Sequence, residues 1–132
     1  MPNEKILLVD DEPDFVEIVQ FFLEENEYQV AAATNGEEAL EKAIEEKPDL
    51  ILLDIMMPKM DGFTACRKLK NNKNTRNIPI IMVTAIGRRE DIAQASKAGA
   101  NGYMMKPFNL VKLVDRIQEV LEHPEIFIVE RA

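Results

Sequence analysis

Cysteine, histidine and tryptophan are nearly missing: the 132 residues hold one cysteine (Cys66), one histidine (His123) and no tryptophan. A lone cysteine cannot close an internal disulfide, and that composition fits a reducing, cytoplasmic compartment. One thiol and one imidazole also cannot assemble a soft-metal site, which needs several nitrogen or sulfur ligands. No run approaches the roughly 18 apolar residues of a membrane span. The opening MPNEKILLVDDEPD ends its short apolar run in carboxylates, which is not a signal-peptide pattern. Positive charge is scarce as well: 16 Lys and Arg face 24 Asp and Glu, a formal net charge of -8. A grip on nucleic-acid phosphates requires the opposite balance, so direct DNA or RNA binding is not expected. An anionic membrane surface is disfavoured on the same ground. What remains is 46% hydrophobic and 30% charged, the mixture of a folded chain. Its length suits one domain able to bury about two-thirds of its unfolded surface.

Short apolar runs alternate with amphipathic stretches along the chain. Lys5–Val9 (KILLV) reads as a strand buried on both faces. After Asp10-Asp11-Glu12-Pro13, the residues Phe15, Ile18, Val19 and Phe22 recur at helical spacing. Tyr28–Ala33 is a second strand. Asn35, with Glu38 three residues on, has the spacing of a capping box opening a helix whose stripe is Ala39, Leu40, Ala43 and Ile44. Asp49–Asp54 (DLILLD) is a third strand, and Phe63–Lys70 a helix with Cys66 and Leu69 inward. A polar loop, Asn71–Asn77, leads to a fourth strand, Ile78–Thr84, in which Pro79 is tolerable near the start. Glu90–Ala98 reads as a helix stopped by Gly99, and Asn101–Met105 as a fifth strand. Asn109 caps a last helix with Leu110, Leu113, Val114, Ile117 and Leu121 inward, and His123 stands at its final turn. Five βα units with short crossovers imply a doubly wound α/β fold, a parallel sheet covered by helices on both faces.

Such folds bind ligands beyond the carboxyl ends of their strands. The first strand ends in Asp10 and Asp11, the third in Asp54, the fourth in Thr84, and Lys106-Pro107 follows the fifth. Any one of these alone reads as solvated surface. Together they place three carboxylates, a hydroxyl and an ammonium at one sheet edge. Gathered carboxylates must protonate or recruit a cation. Oxygen-only ligands suit a hard ion such as Mg²⁺, which often bridges carboxylates and phosphate oxygens. Lys106 and the metal would neutralise an incoming phosphoryl group, Thr84 could donate to it, and Asp54 is then the candidate nucleophile.

The pattern closely resembles the receiver domain of bacterial two-component response regulators over about residues 4–122. The acidic pair matches Asp10 and Asp11 in LLVDDEPD, and the phosphoacceptor matches Asp54 in LLDIMMPKMDG. The hydroxyl residue matches Thr84 in IMVTA, and the lysine and its proline match Lys106 and Pro107 in KAGANGYMMKPF. The resemblance implies a five-stranded sheet of flavodoxin-like order 2-1-3-4-5, as in chemotaxis regulators. It implies Mg²⁺ held by Asp10, Asp11, Asp54 and the backbone carbonyl of Met56, and Tyr103 as the switch aromatic. Pro107 becomes a candidate for a cis peptide. The implied phosphodonor is a histidine of a sensor kinase or of a histidine phosphotransfer protein. Phosphorylation then repacks the face formed by the fourth helix, fifth strand and fifth helix. Beyond its own phosphoryl transfer and slow autodephosphorylation, no enzymatic turnover is implied.

Two positions tune phosphoryl lifetime in such domains, and here they are Met56 and Ile86. Neither side chain can orient a hydrolytic water, so a long-lived phosphorylated state is expected. Cys66 reads as a small buried hydrophobe. Residues 123–132 (HPEIFIVERA) lie beyond the resemblance; Ile126–Val129 is rich in β-formers and open to packing on the domain, a partner contact, or a lead toward an effector. The length suits action through protein contacts, with a downstream protein, a covalently following output domain, or a phosphorylation-dependent homodimer. Three rivals share parts of the pattern. An aspartate-nucleophile phosphohydrolase would carry an acid where Met56 stands. A flavin-binding electron carrier would not place Asp10, Asp11 and Glu12 in its phosphate loop. A phosphorylation-independent module of the same fold has no need for all five site residues.

Overall fold

The central strands form because their residues are apolar without alternation, so that both faces can be buried. In the computed structural model, which describes residues 3–130, β1 (Lys5–Val9), β3 (Leu50–Leu53) and β4 (Ile80–Thr84) are buried almost throughout. They are flanked by β2 (Gln29–Ala33), β5 (Gly102–Met105) and β6 (Ile128–Glu130). All pairings are parallel, in the order β2-β1-β3-β4-β5-β6. The doubly wound sheet is as expected, but it has six strands and not five. The difference lies in the C-terminal segment. β5 would otherwise end the sheet with unpaired N–H and C=O groups, and the β-prone residues 128–130 pair with them.

Five helices cover the sheet: α1 (Pro13–Glu25), α2 (Gly36–Glu46), α3 (Gly62–Lys70), α4 (Arg89–Ala98) and α5 (Leu110–Glu122). α1 and α5 close one core, built on Ile6, Leu8, Val19, Leu23, Ile81 and Ile117. α2, α3 and α4 close the other, around Leu7, Ala39, Ile51, Cys66, Met82 and Tyr103. Asn35, Asp61 and Asn109 cap their helices by accepting from the backbone N–H groups of Glu38, Thr64 and Val111. Glu38 turns back to accept from the Thr34 N–H at 2.6 Å, one residue before the expected partner. Two residues of the expected stripes face outward, Ile18 at 57% and Ile44 at 42% exposure. α1 is apolar around much of its girth, so spacing alone does not select Val19 and Leu23 as the buried pair. Among the described residues, no helix is long and apolar enough to cross a membrane.

Candidate functional site

Strand register builds the site. Val9 and Leu53 are paired at the ends of β1 and β3, so the next residues, Asp10 and Asp54, emerge side by side. Thr84 and Met105 are paired at the ends of β4 and β5, which sets Thr84 next to the start of Lys106. Asp10 is 1% exposed, Asp54 6% and Thr84 0%, whereas Asp11 lies on the surface. The three carboxylates each offer an oxygen, and these oxygens lie within 4.8 Å of one another.

Each buried carboxylate is held by the backbone through one oxygen and presents the other. Asp10 Oδ1 accepts from the Glu12 N–H at 2.9 Å. Asp54 Oδ1 accepts from the N–H groups of Ile55 at 2.7 Å and Met56 at 3.4 Å. The free oxygens face one cation: Lys106 Nζ stands 2.8 Å from Asp10 Oδ2 and 3.8 Å from Asp54 Oδ2. Lys106 also reaches Glu12 at 3.2 Å and lies 4.0 Å above the Phe15 ring, which Phe108 meets edge-on. The Lys106–Pro107 peptide is cis.

Electrostatics follow from this packing. Burial, then the Asp10 charge, raise the Asp54 carboxyl above the ordinary carboxylate range; Lys106 and the Ile55 N–H only partly offset them. Burial lowers Lys106, but its bond to Asp10 and the charge of Asp54 outweigh that and leave it raised. Thr84 lies near enough to Asp54 to favour its anion, yet among the described residues its buried Oγ1 meets no partner at strict hydrogen-bonding geometry. An unpaired buried hydroxyl beside a carboxylate is a donor without an acceptor. Tyr103 is wholly buried and donates to the Ile86 carbonyl at 2.6 Å; burial, then Asp91, push its phenol up to about 12.

The donor set fits a magnesium ion. Mg²⁺ takes oxygen ligands at about 2.1 Å in an octahedron, so oxygens this close together need little adjustment to share one ion. The exposed side of Asp11 leaves room for the waters such an ion keeps.

Comparison with known proteins agrees. The model of the response regulator receiver domain matches residues 6–118. This chain belongs to the response regulator receiver family. The alkaline phosphatase synthesis transcriptional regulatory protein PhoP of Bacillus subtilis is 44% identical over 124 residues, covering 94% of this chain and 51% of that protein. The chain spans about half the length of the first curated relatives it matches. The chemotaxis response regulator CheY4 of Vibrio cholerae superposes with a TM-score of 0.84 at 33% identity, over 89% of this chain and 98% of that one. A Pseudomonas aeruginosa sensor histidine kinase has a receiver domain 32% identical, with a TM-score of 0.84 over 91% of this chain and 98% of that one. That domain holds a magnesium ion in its active-site cleft. Response regulators are signalling proteins and not classic enzymes.

The structure brings Asp10, Asp11, Asp54, Thr84 and Lys106 to one sheet edge. Tyr103 lies deeper, reaching the loop after Thr84 through the Ile86 carbonyl. Glu12 and Phe15 also contact Lys106, although the sequence marks Phe15 only as a core residue. The signal available for both was their place just after the acidic pair. His123 caps the end of α5, and Cys66 is buried and donates to the Ala98 carbonyl.

Proposed function

We propose that this receiver domain is a phosphorylation-dependent switch in which Asp54 takes a phosphoryl group from a phosphohistidine. The observation that carries this reading is the constellation around Asp54 Oδ2. This oxygen faces Lys106 while its sister oxygen is tied down by the Ile55 N–H, and the buried Thr84 hydroxyl lies beside the same carboxylate. Asp54 Oδ2 attacks the phosphorus in line, the P–N bond breaks, and its electron pair returns to the donor imidazole. The product is an acyl phosphate on Asp54. Lys106 needs a shift from Asp10 to meet the new oxygens, and Thr84 gains the acceptor it lacks. Asp10, Asp11, Asp54 and the Met56 carbonyl would hold Mg²⁺, which when bound offsets negative charge on the phosphoryl oxygens.

The donor is a cytoplasmic sensor histidine kinase or a histidine phosphotransfer protein. Adding charge at Asp54 biases the Thr84–Tyr103 region between two packings, and so changes the face of α4, β5 and α5. The target is a separate protein, a following output domain, or a second copy of the chain. Incubation with Mg²⁺ and a small acyl phosphate, read by intact mass, is expected to add one phosphoryl group. Asp54→Asn removes that addition. Persistence of the added mass in the variant refutes the role of Asp54, and size measurement on the loaded protein reports dimerisation.

A further inference from the structure

Residues beyond α5 lie outside the receiver match, yet they seat themselves on the strand that carries Tyr103. Gly102 pairs with Ile128, Tyr103 with Val129 and Met104 with Glu130. Just before β6, Phe127 packs against the core cluster that holds Tyr103 and the α4 residues Ala95 and Ala98. Ile128 packs instead against the cluster holding Ile117 and Val120 of α5. Glu130 then pairs with two α5 cations, Arg116 at 2.7 Å and Lys112 at 3.3 Å. At the near end, the Asn101 side-chain amide donates to the Pro124 carbonyl at 2.7 Å, and the Ile128 N–H donates to the Asn101 carbonyl. The segment thus ties the α4 side to the α5 side across the β5 edge.

The fastening is light. β6 has three residues, lies at the sheet edge, and keeps Phe127 and Ile128 only half-buried. Short edge segments with few buried contacts open locally at low free energy. A physical chain also runs from the site to this strand. Thr84 borders Asp54, Ile86 follows on the same loop, and the Ile86 carbonyl accepts from Tyr103, whose backbone pairs with Val129.

We propose that residues 124–130 form a displaceable strap that holds Tyr103 inward and whose docking is coupled to phosphorylation of Asp54. A docked strap favours the phosphorylated site, and the phosphoryl group tightens the strap. The inference rests on Asp54 being the phosphoacceptor. A phosphoryl oxygen supplies Thr84 with its missing acceptor and so restrains the Thr84–Ile86 loop where it stands. The Ile86 carbonyl then stays over Tyr103, and the cluster against which Phe127 packs stays closed. Coupling of this kind is reciprocal.

The test follows hydrogen exchange of residues 126–130 in the full chain, with and without Mg²⁺ and a small acyl phosphate, with intact mass read on the same samples. One added phosphoryl is expected, with exchange at residues 128–130 slowed about five-fold or more, the lower end of measured couplings. Added mass with unchanged or faster exchange overturns the strap and leaves the phosphoacceptor standing. Absence of added mass overturns the phosphoacceptor reading and, with it, the coupling. The hold on Tyr103 is read separately, without phosphorylation, from ring NMR signals of Phe127→Ala and Ile128→Pro. Tyr103 is expected to show an exposed, averaging ring in both, while Tyr28, in the opposite core, keeps its signals. Unchanged Tyr103 signals in the folded variants overturn the strap.

Discussion

Replacing Asp54 with Asn should make the metal-free protein more stable. At an effective dielectric of about 20, the Asp10 carboxylate, with an oxygen no more than 4.8 Å away, repels the Asp54 charge by at least about 3.5 kcal/mol, and Lys106 at 3.8 Å attracts it by about 4.4 kcal/mol. These nearly cancel, and Asp11 adds a further, solvent-screened repulsion. Burial therefore decides the balance, and it acts against the anion. An asparagine keeps the oxygen that accepts from the Ile55 N–H and offers an amide to Asp10. A gain of about 1–2 kcal/mol is expected, a rise of roughly 3–8 °C in Tm for a chain of this size. Because folding raises the Asp54 value, the native protein binds that proton more tightly than the unfolded chain. Wild-type stability at this site therefore increases as pH falls through the raised value, and levels off below the unfolded value near ~3.9. The variant carries no such proton, so its advantage is full at neutral pH and closes on acidification. Urea denaturation in a chelator at pH 7 and pH 4 measures both. A variant no more stable at pH 7, or a gap that does not narrow at pH 4, refutes the reasoning.

Mg²⁺ at about 100 times its Kd should stabilise the wild type by about 2.7 kcal/mol. Asp11→Asn, on the surface, should change metal-free stability by less than ~0.5 kcal/mol while losing most of that Mg²⁺ gain; an undiminished thermal shift removes Asp11 from the metal site. Gly62→Ala should cost about 3 kcal/mol or fail to fold, because its Cβ would lie 2.2 Å from the Asp54 carbonyl oxygen and 2.6 Å from Ile55 Cα. A urea midpoint close to wild type would contradict this. If Asp54 is the phosphoacceptor, Met56 and Ile86 at the two positions expected to tune its lifetime offer no polar helper to a hydrolytic water, and phosphoryl decay should take minutes or longer. A half-life of seconds by intact mass refutes it.

Much of the placement of the site residues is legible in the sequence, and for one reason. In a parallel sheet all strands end at one edge, so locating KILLV, LILL, IIMVT and GYMM also locates Asp10, Asp54, Thr84 and Lys106. Helix caps at Asn35 and Asn109 were legible too, because capping is settled within a few residues of chain. Side chains answering to distant partners were not. Spacing along α1 cannot say that Ile18 faces water while Leu23 is buried, since that depends on where the sheet and α5 lie. Composition cannot say that Lys106 bonds Asp10 more closely than Asp54, or that the Thr84 hydroxyl is buried without an acceptor. Nor can local propensity place residues 128–130. Their residues favour a strand, but a strand needs an edge, and the edge they use belongs to β5 on the far side of a whole helix. The scarcity of cysteine and of positive charge narrowed the chemistry. Which carboxylate oxygens face Lys106, where the Thr84 hydroxyl is buried and which strand residues 128–130 join are set by packing between residues remote in the chain, and only the folded molecule decides them.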